Sequence, residues 1–135
     1  MKRPNNVLQI KVTEDRFFRA WMDFLYPYHH LAPRGRDVAA KILSQYFKLR
    51  NAIKDPEVLR EVLWSKNSKK DIMASLGMSQ ENFFMFIAKL KKAEFLLNDD
   101  INPKYIPNIT DGEPRLLLLA MFDWSTPQNP IQNNA

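Results

Sequence analysis

Cysteine is absent from this chain of 135 residues, and glycine occurs only three times. Without thiols the protein can form neither disulfide bonds nor thiolate metal sites, which fits a reducing compartment. With so few glycines, the sequence holds no glycine-rich loop of the kind that wraps around phosphates. The apolar run at 116–122 is far too short to span a bilayer and no secretory leader is recognisable, so we expect a cytoplasmic chain with no membrane partner.

Residues that usually carry catalysis or metal binding are also sparse. His29 and His30 are adjacent and have no further ligand cluster, so we expect an ordinary loop pair and not a metal site. Asp99 and Asp100 lack the alternating spacing of a calcium loop and predict a turn. No set of nucleophile, base and acid can be assembled. We therefore expect a protein that is not an enzyme and that has no cofactor and no small-molecule substrate.

Apolar side chains and positive charge are what the sequence does contain. Hydrophobic residues make up 45% of the chain and nine residues are Phe, which predicts one domain with a bulky core. The formal net charge is +5 at pH 7. This basic balance favours an anionic partner, although a requirement for solubility explains it equally well.

Helix-start signals divide the first half of the chain. Residues 7–12 partly alternate in polarity and predict a short strand. Thr13 is expected to cap a first helix, which Pro27 should end. Pro33 is expected to begin a second helix, and the pair Asp55-Pro56 a third.

The most informative stretch is 69–97, where two further helices are expected. Gly77 suits a positive φ at the end of the first of them, and Ser79 suits the N-cap of the second. A capping box at 68–71 should open the first. Two helices joined by so short a turn predict a helix-turn-helix. Its apolar positions at helical spacing are Ile72, Leu76, Phe83, Ile87 and Leu90.

Beyond the second of these helices the pattern changes from helical to extended. Residues 98–100 predict a turn, and the two prolines within 101–109 restrict that stretch to an extended or edge segment. A second turn at 110–114 leads into 115–124, which predicts a strand, with a short helix left open by its leucine content. We expect a β-hairpin around that second turn, followed by a polar tail at 125–135 that is disordered on its own.

This order of elements resembles the winged helix-turn-helix family, and in particular its small phage and plasmid proteins. The residues that carry the resemblance are the apolar positions above, the turn Gly77-Met78-Ser79 and the run at 91–96, through which such domains commonly pass from the recognition helix into the wing. Glu94 or Ala93 stands where a glycine is usual, which is expected to alter the helix exit.

The resemblance implies a fold that is mainly α with a small β component. The chain would be a winged helix-turn-helix with an extra amino-terminal strand and helix. Its expected organisation is an arm or strand at 1–12, a single winged-helix-like domain at 13–124 and a polar tail at 125–135.

On that alignment the second helix presents an outward side made of Gln80, Glu81, Asn82, Phe84, Met85 and Lys89. Phe84 and Met85 together are a poor surface for reading base edges, whereas aromatic residues and Met are favoured at the centres of protein interfaces. The simpler alternative is that these residues, or the neighbouring Phe86, belong to a wider core.

Several lysines near the helix pair are candidates for contacts with phosphate or another anion. Phosphate contacts need such charges but carry no sequence information, and a merely solvated helix face explains each cluster equally well. The presumed recognition helix contains no Arg, the residue that most often reads guanine. The candidates are Lys69, Lys70, Lys91, Lys92 and Lys104.

Two functions follow as expectations. The first is a winged-helix assembly or adaptor protein that docks into a larger complex, a structural component of a phage virion assembled in a cytoplasm, with other protein subunits as its partners. The second is a regulator of transcription or replication that binds double-stranded DNA, with Gln80 and Asn82 on base edges. Under the first, the tail would dock through Trp124, Pro127, Pro130 and Ile131.

Overall fold

Six α-helices make up most of residues 8–110, 112–113, 115–118 and 120–125, which are the residues that the computed structural model describes. A 3-10 turn at Glu14–Arg16 precedes the first helix, and another at Pro103–Tyr105 follows a small antiparallel hairpin. The expectation of a mainly α fold with a small β component is confirmed. The helices are α1 (Phe17–Phe24), α2 (Tyr26–His29), α3 (Pro33–Ala52), α4 (Pro56–Leu63), α5 (Lys66–Leu76) and α6 (Gln80–Lys92), and the strands are β1 (Leu96–Leu97) and β2 (Asp100–Ile101).

The starts of α3 and α4 lie where the sequence predicts them. Pro33 is the first residue of α3 and Pro56 the first of α4, positions whose backbone N–H would have no helical partner anyway. The Asp55 carboxylate caps α4 by accepting the N–H of Glu57 at 2.9 Å. Local backbone chemistry alone therefore fixes both starts.

Three predicted helix boundaries are wrong. Thr13 begins a 3-10 turn and makes no side-chain cap bond, and Pro27 lies inside the short helix α2 after α1 has already ended at Phe24. The capping box at 68–71 does not open α5, which is capped by Ser65 three residues earlier. Ser68 is the third residue of α5 and so lies inside the helix, where its hydroxyl is buried and accepts a hydrogen bond from Gln45 at 3.2 Å.

The core forms where α3 packs against α1, α5 and α6. An ionic network on the α1–α3 contact joins Arg19 and Arg36 to Asp23 and Asp37, with Arg36 2.8 Å from the Asp23 carboxylate. The side chains that are fully buried include Met22, Val38, Ile42, Leu43, Ile72, Phe83, Leu90 and Phe95.

The connection between α5 and α6 has the predicted geometry. Gly77 adopts a left-handed conformation with φ of 60°, and the N–H of Met78 reaches back to the carbonyl of Met73 at 3.0 Å. This is the Schellman arrangement, which favours glycine because a Cβ is strained at positive φ. The hydroxyl of Ser79 accepts the N–H of Asn82 at 3.2 Å, so the predicted N-cap is confirmed.

The β-hairpin is shorter than expected and lies in another place. Leu96 pairs with Ile101 and Leu97 with Asp100, so the turn that closes it is at Asn98-Asp99 and not at 110–114. No described residue of 115–124 belongs to a strand or a helix, and neither does any residue of 8–12.

These corrections have one physical cause. Apart from the partly buried Leu116, the described apolar side chains of both stretches, among them Ile10, Leu117 and Phe122, are exposed, so no continuous buried face holds them in register beside another strand. The amino-terminal strand and the predicted wing are therefore wrong for the residues that the structure describes.

Candidate functional site

The outward side of α6 is the surface that the sequence singled out. Phe83 and Leu90 are fully buried, which fixes the orientation of the helix and turns its opposite side outward. Phe84 and Met85 are 46% and 47% exposed. We call this surface the α6 face; it consists of Gln80, Glu81, Asn82, Phe84, Met85 and Lys89, all of which are exposed.

Of the three adjacent apolar residues of α6, only Phe86 belongs to a wider core; Phe84 and Met85 do not. Phe86 is partly buried and packs against the core, with the ammonium of Lys89 5.1 Å from its ring centroid. Phe84 and Met85 stay about half exposed. The sequence expectation that these two side chains face outward is confirmed.

A cleft of about 400 Å³, open to solvent, lies directly beside Phe84. We call it the Trp64 cleft. The end of α4 contributes Arg60, Glu61 and Trp64 to its lining, α5 contributes Lys69, α6 contributes Phe84 and Lys91, and the hairpin turn contributes Asp99.

The α4 side of this cleft is held to the hairpin by two polar contacts. The indole N–H of Trp64 donates to the backbone carbonyl of Asp99 at 2.5 Å, and the guanidinium of Arg60 lies 3.2 Å from the carboxylate of Asp100. With Arg60 paired and Glu61 beside it, this side of the cleft offers no surplus of positive charge to an anion.

The α5–α6 side of the cleft is different, because it combines an aromatic ring with two lysines. The ammonium of Lys69 lies 5.8 Å from the centroid of the Phe84 ring, close enough for a cation–π contact. Lys69 and Lys91 form no ion pair with any described residue. A ligand with an apolar surface and one negative charge could pack on the Phe84 ring and pair with a lysine on this side.

The five predicted anion-contact lysines do not form one cluster. Lys69 and Lys91 both line the Trp64 cleft, whereas Lys70 and Lys92 are exposed outside its lining. Lys104 contacts other aromatic residues, with its ammonium 6.0 Å from the ring centroid of Tyr28 and 5.3 Å from that of Tyr105.

The predicted tail contacts fall mostly beyond what the structure describes. Trp124 is 89% exposed and so is hardly covered by any residue that the structure describes. Pro127, Pro130 and Ile131 lie outside the described residues.

Sequence reasoning assigned no site role to the cleft residues Arg60, Glu61, Trp64 and Asp99. The sequence places Trp64 only among the apolar residues of the third predicted helix. One signal was available, since a tryptophan needs a partner for its indole N–H when it is covered. The partner lies 35 residues away along the chain, and no local pattern identifies a carbonyl at that distance.

His29 is buried as the last residue of α2 and is not in a loop as predicted, although both of its ring nitrogens have hydrogen-bond partners. Its Nε2–H donates to the carbonyl of Met22 at 2.7 Å, and its Nδ1 accepts the N–H of Leu31 at 2.9 Å. Burial lowers the pKa of His29 from its ordinary value of 6.5. No group of three or more metal-ligating side chains occurs among the described residues, and none of the helices there is long and apolar enough to cross a membrane.

Comparisons with protein-family models, with curated proteins and with solved structures find no match for this chain. The winged-helix resemblance therefore stays a prediction that rests on the α5–α6 unit. What the chain does has to follow from the chemistry of the α6 face and of the Trp64 cleft.

Proposed function

We propose that the chain is a non-enzymatic docking protein that binds another protein subunit of a larger assembly through its α6 face. One observation carries this proposal: Phe84 and Met85 lie side by side on α6 and keep about half of their surface exposed. Apolar surface removed from water stabilises a contact by roughly 25 cal/mol per Å², so covering this pair favours association.

The composition of the α6 face also suits a protein partner. Aromatic residues and Met are enriched at interface centres, and polar side chains surround them at the rim. Here Gln80, Asn82 and Lys89 supply that rim around the apolar pair.

Double-stranded DNA is the less favoured partner for the same face. Gln80 and Asn82 have amides that suit adenine, but Glu81 between them repels phosphate. The helix has no Arg, and the ammonium of Lys89, the one lysine of the α6 face, already lies over the ring of Phe86. DNA binding is therefore kept as an outcome of the test.

The test places a photo-reactive phenylalanine analogue at Met85 of the full chain, in cells that naturally make the protein. The expected result is a covalent adduct with another protein chain, detected by mass spectrometry. The matched control carries the same analogue at Lys48, an exposed residue of α3, and should give no such adduct. Adducts with nucleic acid, or none at all, would overturn the proposal.

A second measurement separates loss of docking from loss of folding. The double substitution Phe84→Asp with Met85→Asp should lower the free energy of unfolding by only about 1–3 kcal/mol and leave the chain folded, since about half of each side chain is already exposed. It should also abolish recovery of the partner with the tagged chain. Affinity for duplex DNA that falls steeply with salt and weakens in Lys89→Gln would favour DNA instead.

A further inference from the structure

Residues 121–125 form the most exposed apolar stretch near the carboxyl end of the described chain. Met121, Phe122 and Trp124 are 87%, 85% and 89% exposed, and the stretch belongs to neither a helix nor a strand. Two aromatic side chains so exposed are costly for an isolated chain and typical of a segment that is covered in a complex. We call residues 121–125 the FDW segment, after Phe122, Asp123 and Trp124.

The carboxylate in the middle of this segment is held in its charged form. Asp123 accepts the N–H of Ser125 at 3.0 Å and its hydroxyl at 2.7 Å. These two hydrogen bonds lower the pKa of Asp123 below its ordinary value. The carboxylate forms no ion pair with any cation in the described part of the chain.

The Trp64 cleft offers the matching set of groups. Trp64 and Phe84 supply aromatic surface, and Lys69 and Lys91 supply positive charge that no described carboxylate neutralises. A peptide with a carboxylate between two aromatic residues could therefore pack its rings on these aromatic side chains and pair its charge with these lysines within the one cleft. Because Glu61 and Asp99 line the opposite side, the carboxylate has only the α5–α6 side to approach.

We propose that the FDW segment of one copy of this chain docks into the Trp64 cleft of a second copy. Phe122 and Trp124 pack on Trp64 and Phe84, while Asp123 pairs with the lysines of the cleft. This inference rests on the proposed docking function and names a second copy as the partner. Since segment and cleft are different surfaces, the contact is head-to-tail and builds a ring or an open filament.

A second copy is the favoured occupant because each chain carries both halves of the contact unfilled. In the single chain the segment is exposed and the cleft is open. One repeated contact covers both surfaces on every copy inside the ring or filament. No third component is needed to account for either surface.

Sedimentation velocity on the purified full chain tests this directly. The wild type should self-associate as its concentration rises over ~1–100 µM, a range typical of modest protein contacts. A cleft variant, Lys69→Glu with Lys91→Glu, and a segment variant, Phe122→Ala with Trp124→Ala, should each associate at least about tenfold more weakly.

Mixing the two variants gives the sharpest readout. Each retains one intact half, so the mixture should form a heterodimer and stop there, because only one pair of complementary surfaces remains. Asp123→Lys added to the cleft variant should restore self-association by reversing both charges. Leu8→Ala, which removes an equally exposed apolar side chain elsewhere, should leave association unchanged.

Three results would overturn this inference: a wild type that stays monomeric, a mixture that does not dimerise, or a cross-link that joins Trp124 to the cleft within one chain. The photo-reactive probe at Met85 keeps the two proposals distinct. Adducts with a different protein, together with a monomeric wild type, would reject the second copy as partner and leave the docking function standing.

Discussion

Trp21 donates its indole N–H to the backbone carbonyl of Tyr105 at 2.8 Å, across 84 residues of sequence. Both residues are buried, so this bond is shielded from water. It joins α1 to the 3-10 turn that follows the hairpin, two parts of the chain that share no local signal. The bond holds α1 to a turn that comes after the α5–α6 unit in the sequence.

Trp21→Phe should destabilise the protein markedly. The phenyl ring keeps part of the contact with Phe17 but leaves the Tyr105 carbonyl buried without its donor, which costs about 1–3 kcal/mol. Urea unfolding followed by circular dichroism measures the loss. Trp64→Phe is the matched control, and its loss should be smaller because water can reach the carbonyl of exposed Asp99. Equal losses would contradict the shielding argument.

Tyr105→Phe should have the opposite effect. The Tyr105 side chain is 1% exposed, and its hydroxyl has no hydrogen-bond partner among the described residues. Removing a buried, unpaired hydroxyl should raise the free energy of unfolding by about 1 kcal/mol. Tyr28→Phe, at an exposed position, should change nothing. A destabilised Tyr105→Phe protein would show that the hydroxyl has a partner.

The features predicted correctly from the sequence all act within a few residues along the backbone. Pro33, Asp55, Gly77 and Ser79 set helix ends through their own dihedral angles or a hydrogen bond to a near neighbour. Such signals need no knowledge of the rest of the fold. The outward orientation of Phe84 follows in the same way, from helical spacing alone.

The features that sequence reasoning missed depend on distant partners. Ser68 has the side chain of an N-cap, but the helix begins before it and its hydroxyl faces Gln45 of α3, which donates to it. Trp64 becomes part of a cleft only because the hairpin brings Asp99 to its indole. The predicted strand at 115–124 failed for the related reason that β-propensity acts only where another strand is available.

Glu94→Gly should stabilise the protein by about 1 kcal/mol. Glu94 has φ of 61° at the end of α6, where the N–H of Phe95 bonds the carbonyl of Leu90 at 2.9 Å. The backbone at the end of α6 therefore has the same left-handed conformation that a glycine would adopt. The expectation that the missing glycine alters the end of this helix is wrong. Glycine relieves the strain that the Glu94 Cβ suffers there. The melting temperature by calorimetry measures the gain.

Two control substitutions isolate the backbone as the cause. Glu94→Gln removes the charge but keeps the strained Cβ, so its gain should be only a few tenths of a kcal/mol from the helix dipole. Gly77→Ala, at a φ of 60° with open space around the new Cβ, should cost about 1 kcal/mol by introducing the same strain. A gain from Glu94→Gln as large as that from Glu94→Gly would assign the effect to charge.

His29 should make the protein less stable in mild acid. Burial lowers its pKa in the folded state below 6.5, so the unfolded chain takes up a proton first as the pH falls. Stability is complete above that value and is lost on acidification by at most about 1.4 kcal/mol per pH unit. Protonation also removes the Nδ1 acceptor of the Leu31 N–H. Urea unfolding at about pH 7.5 and 5.5 measures this loss of stability with pH. The loss should be smaller in His29→Gln and unchanged in His30→Gln. An equal loss in both variants would reject His29 as its source.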